Sequence, residues 1–118
     1  MNELVEAMNK AFVDMQKTNK GASGILNKAE SVSEPSPRIT KLAKELSASL
    51  ESLETQKSDL GFMIRFKKTR SGQKVTIDLA NESLRSCAQG IADNLELCKS
   101  LKALLPITKK DEKWSSSS

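Results

Sequence analysis

Residues 60–79 read LGFMIRFKKTRSGQKVTIDL, and the conformation assigned to them separates two architectures for the whole chain. Phe62, Ile64 and Phe66 alternate with Met63, Arg65 and Lys67, and Val75, Ile77 and Leu79 alternate with Thr76 and Asp78. That is the period of a strand with one apolar face. A four-residue loop Thr69-Arg70-Ser71-Gly72 would pair Phe66 with Val75, Ile64 with Ile77 and Phe62 with Leu79, bringing all six apolar side chains to one side. Gly72 then takes the last loop position, where a type I turn commonly calls for a left-handed residue. The spacing therefore predicts a β-hairpin over residues 62–79. The alternative is that the preceding helix runs on to about Arg70, because Leu60 and Ile64 also fit a helical stripe. That stripe then meets Lys67 and Lys68 and leaves Phe62 and Phe66 on other faces.

Upstream, Ile39, Leu42, Leu46, Leu50, Leu53 and Leu60 carry the strongest helical pattern in the chain. Ser36 is placed to cap this helix, with Pro37 at its first position, where a missing N–H costs nothing. Gly61 follows the stripe as a C-terminal cap. Before the turn-forming SVSEPSP stretch at residues 31–37, Leu4, Met8, Ala11, Phe12, Met15, Ala22, Ile25, Leu26 and Ala29 trace a first helix. Gly21 and Gly24 weaken its second half, and a break near residue 20 is allowed for. Downstream, Leu84, Cys87, Ala88, Ile91, Leu95, Cys98, Leu101 and Leu105 form the buried stripe of a last helix, capped by Asp78 or Asn81 and stopped by Pro106.

The expected fold is thus mainly α: one helical domain over residues 1–105, with three amphipathic helices at about 2–30, 37–60 and 82–105 and the hairpin between the second and third. A plain three-helix up-down-up bundle is the alternative. The polar segment 106–118, with little to bury besides Trp114, is expected to be a disordered tail.

Composition narrows the chemistry. The 118 residues include no histidine, which removes the commonest general base and zinc ligand. No glycine-rich phosphate loop is present, and the acidic residues Glu51, Glu54 and Asp59 read as the polar side of a helix. No catalytic activity, cofactor or metal is expected. Cys87 and Cys98 stand eleven residues apart on one helix, separated by about 16 Å of rise, too far to bond. They read as reduced core thiols of a cytoplasmic protein. No apolar run is long enough to span a membrane, and the N-terminus has no signal-like pattern.

The formal net charge is +4, yet Arg65, Lys67, Lys68, Arg70 and Lys74 supply five cations within ten residues that contain no acid. These five are the candidate anion- or partner-binding residues. The expectation drawn is a non-enzymatic interaction or assembly protein, an adaptor, chaperone or complex subunit, binding a protein partner through amphipathic helix faces. With only 3% aromatic residues the core is thin, and a homodimer would bury more of it. The alternative is a small nucleic-acid-binding protein that uses the basic tip for phosphate-backbone contacts.

Overall fold

A computed structural model describes residues 2–105 as three helices, α1 (Asn2–Glu30), α2 (Pro37–Phe66) and α3 (Ile77–Leu104). They pack around two apolar clusters. One gathers Met8 and Met15 of α1, Leu53, Leu60 and Met63 of α2, and Ala80 and Cys87 of α3. The other gathers Ala22 and Ala29, Ile39 and Leu46, and Cys98 and Leu101. The N-terminal halves of α1 and α3 thus meet the C-terminal half of α2, so the topology is up-down-up.

The hairpin predicted over residues 62–79 does not form. Residues 62–66 continue α2, and the expected strand pairing reduces to a single antiparallel bridge between Lys68 and Lys74. The physical reason lies in what each conformation buries. As helix, Leu60, Met63 and Ile64 stand at i, i+3 and i+4 on the face that meets Met8 and Leu4, and Leu60 and Met63 are almost fully enclosed. An isolated two-stranded ribbon offers no comparable burial. The alternation of 62, 64 and 66 was a coincidence of two helical pairs: Leu60 with Ile64 inward, and Phe62 with Phe66, whose ring centroids lie 4.7 Å apart, outward. Phe66 and Ile77, both expected on the core face, are more than half exposed.

Two further boundaries move for local reasons. Gly61 is no cap; it lies inside α2, where a Cβ would come 3.0 Å from the Phe12 ring, so its missing side chain lets α1 and α2 approach. The cap of α2 is Lys67, left-handed at φ 60°, whose N–H donates to the Met63 carbonyl. Helix α3 begins at Ile77 rather than at about residue 82. Its cap is Thr76, whose Oγ1 accepts from the Leu79 amide at 3.1 Å, in place of Asp78 or Asn81. At the other end, Ser36 does cap α2 ahead of Pro37, its Oγ accepting from the Ile39 amide. Helix α1 runs unbroken past residue 20, because Asn19 and Ala22 are buried and carry the contact face across the polar gap. Leu95 and Ala88, assigned to the buried stripe of α3, are exposed. The tail expected at 106–118, Trp114 included, lies outside the described residues. No helix among the described residues is long and apolar enough to cross a membrane.

Each helix contributes one buried position every seven residues: Met8, Met15, Ala22 and Ala29; Ile39, Leu46, Leu53 and Leu60; Ala80, Cys87, Asn94 and Leu101. A seven-residue repeat keeps a helix face on its neighbours when helices cross at about 20°, the packing of left-handed bundles. Asn94 breaks the apolar series between the two clusters. It is fully buried; its Oδ1 accepts from the Cys98 thiol at 3.4 Å, and its Nδ2 has no partner. Asn19, also buried, donates from Nδ2 to Glu54 at 2.6 Å while its Oδ1 is unpartnered. The bundle therefore has a polar waist.

Two stability outcomes follow from this packing. An orphaned buried donor costs about 1–3 kcal/mol, so Asn94→Leu should raise the melting temperature by several degrees in a thermal melt followed by circular dichroism; a lowered midpoint would mean the amide is satisfied. Gly21 faces open space with no atom within 4 Å of a Cβ, so Gly21→Ala should add about 1 kcal/mol of helix propensity, read as a higher urea midpoint.

Candidate functional site

The α2–α3 connection is built by four backbone contacts. The Thr69 carbonyl accepts from the Gly72 amide at 2.9 Å, closing a β-turn in which Gly72 adopts φ +91°, as the sequence required of it. The Thr69 amide donates to Gln73, and the Val75 amide donates to the Lys67 carbonyl at 3.1 Å. The Lys67 amide is tied to Met63 at 2.9 Å. Lys67, Lys68 and Lys74 thus project from a backbone that is fixed on both sides of the turn. Lys74 stands opposite Lys68 rather than opposite Lys67, one residue from the expected register.

The five cations singled out in the sequence divide into two groups. Arg70 folds back onto the last turns of α2: its Nε donates to Asp59 Oδ1 at 2.8 Å, its Nη2 donates to Ser58 Oγ at 2.6 Å, and its guanidinium lies 4.9 Å from the Phe62 ring centroid. Its charge is spent within the chain, and Arg70 leaves the candidate set. Arg65, Lys67, Lys68 and Lys74 are exposed, and among the described residues the ion pairs are Arg70–Asp59 and Lys57–Glu54 alone. Arg65 stacks its guanidinium 5.3 Å from the Phe66 centroid, which orders the side chain without neutralising it. Four cations without acidic partners therefore crowd one end of the bundle.

Sequence reading missed what lies beneath them. A cavity of about 320 Å³ opens at this end, lined by Leu4, Val5 and Met8 of α1, Met63 and Ile64 of α2, and Val75 and Ala80, with Lys67 and Lys74 also contributing. It exists because α3 places the small Ala80 at its first buried position, where later layers carry Cys87 and Leu101. The signal in the sequence was that alanine, legible only once α3 is known to start at Ile77.

Other reactive groups are remote from this end or muted. Burial pushes the thiols of Cys87 and Cys98 above their ordinary pKa, so both stay protonated and unreactive near neutrality. Glu54 is held below the usual carboxylate range by hydrogen bonds from Lys57 and Asn19. Its contribution to stability is present above that range and fades as pH falls through it. Among the described residues no group of three or more cysteines and carboxylates is arranged to hold a metal.

No protein-family model, no curated protein and no solved structure matches this chain.

The left-handed backbone at Lys67 strains any residue with a Cβ. Lys67→Gly should therefore raise stability, by up to about 1 kcal/mol, while deleting one cation from the site. Urea denaturation of the purified variant reads the effect, and an unchanged midpoint would show that the cap carries no strain.

Proposed function

We propose that this chain is a non-enzymatic interaction protein, an adaptor or assembly subunit, that docks an acidic segment of a protein partner at the basic end of its bundle. The observation that carries the reading is the juxtaposition of Arg65, Lys67, Lys68 and Lys74, exposed and without acidic partners, with an apolar cavity at whose lining two of them stand. Cations beside apolar surface suit a protein segment that offers carboxylates and apolar side chains together. A phosphate backbone needs only the cations, and the rings of Phe62 and Phe66 are engaged by Arg70 and Arg65 rather than free to stack on bases. Ile77 and Leu95, exposed on α3, supply apolar helix surface for further contacts or for a second copy of the chain. Two buried free thiols suit a reducing, cytoplasmic setting.

Fluorescence anisotropy tests the reading. A labelled peptide rich in Asp and Glu and a labelled single-stranded oligonucleotide are titrated at low and moderate salt against the wild type and against a Lys67→Gly, Lys68→Ala, Lys74→Ala variant. Binding of the acidic peptide, weakened by salt and lost in the variant, is the expected result. Preferential, salt-steep binding of the oligonucleotide would instead assign the basic end to nucleic acid.

A further inference from the structure

We propose that the end cavity receives a single bulky apolar side chain from the acidic partner segment, with Lys67 and Lys74 pairing with carboxylates that flank it. The inference rests on the acidic-partner reading and narrows it to a recognisable pattern: acid, large apolar residue, acid.

The dimensions carry the argument. On α1 the cavity is lined from Asn2 to Met8, and on α2 from Met63 to Lys67, spans of about 9 and 6 Å at the helical rise. Its floor is Met8, Met63 and Ala80, all buried. Below them Met15, Leu53 and Cys87 close the core. The space is therefore one to two helical turns deep, the reach of one leucine, methionine or phenylalanine side chain. A long acyl chain would have to displace the Met15 layer. At about 320 Å³ the cavity sits at the small end of ligand pockets, enough to admit one phenylalanine ring with room for the adaptable methionines to close around it.

The walls and rim fit the same occupant. Met8 and Met63 present unbranched thioether side chains that adapt to differently shaped apolar groups. Lys67 is fixed by its cap hydrogen bond to Met63, and Lys74 by the bridge to Lys68, so two ammonium-bearing backbones are held beside one apolar opening before any partner arrives. Held in advance, they lose less freedom on binding than a mobile loop would. An anchor side chain buried in a pocket with charged contacts around it is the arrangement in which a few residues dominate an interface.

The test uses the full chain and three labelled nine-residue peptides of Asp and Glu that differ only at the centre: Phe, Ala or Gly. Anisotropy titrations are run on the wild type and on two cavity-filling variants, Ala80→Leu from below and Val75→Trp from the rim, with circular dichroism confirming that each is folded. The Phe peptide should bind the wild type at least about tenfold tighter than the Ala peptide. That gap should close in whichever filling variant folds, while the salt-sensitive binding shared by all three peptides persists. Equal affinity of the Phe and Ala peptides, with binding still dependent on the lysines, would overturn the anchor and leave the acidic-partner reading standing. No binding of any peptide would remove both. A gap that stays open in a folded filling variant would place the anchor outside the cavity and overturn the proposal. Tight binding of decanoate with no discrimination among the peptides would give the cavity to a lipid and overturn the proposal.

Discussion

Side chains spaced by seven residues on three helices, interdigitating along one seam, hold this molecule together. Leu46, Leu53 and Leu60 of α2 lie against Ala22, Met15 and Met8 on one side and Leu101, Cys87 and Ala80 on the other. The constraint is geometric: a seam that repeats every seven residues stays in contact only if each helix remains unbroken along it. This is why α1 ignores two glycines, why α2 runs through Gly61, and why the strand-like alternation after it yields to helix. With so few aromatic rings, the core depends on close approach. Alanine at positions 22 and 29 and glycine at 61 bring backbones together where larger residues would hold them apart.

The same seam carries its own interruption. Asn94 stands at a position where the repeat asks for an apolar side chain, and Asn19 lies buried one helix away with its carboxamide oriented to Glu54. A polar group in a seam lowers stability, and sliding α1 along α2 would cost the Asn19–Glu54 hydrogen bond, which penalises misaligned packing. The waist divides the core into two clusters, one below the basic end and one near the α1–α2 turn. Asn19, Glu54 and Lys57 form a chain of contacts from that waist to the surface, ending on the Phe12 ring, over which the Lys57 ammonium lies at 5.9 Å. The ring that fills the space beside Gly61 is thus also covered by the Lys57 ammonium, one turn earlier on α2.

At the basic end, packing and charge arise from a single event, the arrest of α2 at Lys67. Ending the helix there turns Lys67 out through a left-handed residue, reverses the chain through Gly72 and starts α3 at Ile77, so Val75 and Ala80 face Met8 and Met63 across a gap. Arg70 pins the connection to α2 through Asp59 and Ser58, and its loss from the free cations leaves four, of which Lys67 and Lys74 stand at the opening. Surface ion pairs of this kind contribute little energy, about 0–1 kcal/mol; the effect of this one is to position a loop.

The sequence by itself determined three amphipathic helices, the Ser36–Pro37 start of α2, the left-handed role of Gly72 and the cationic character of residues 65–74. Each of these rests on local chemistry: periodicity, capping, backbone freedom and charge need no knowledge of what lies across the fold. Tertiary structure alone decided where α2 ends, because residues 62–66 satisfy strand and helical periods together and only contact with Leu4 and Met8, some sixty residues earlier, favours one of them. It also decided which arginine is spent internally, since Asp59 and Arg70 are brought together by the turn of the chain. The cavity belongs to the same class. An alanine in a helix is unremarked in sequence, and becomes an opening only when three helices converge on it and none supplies a side chain to fill the space.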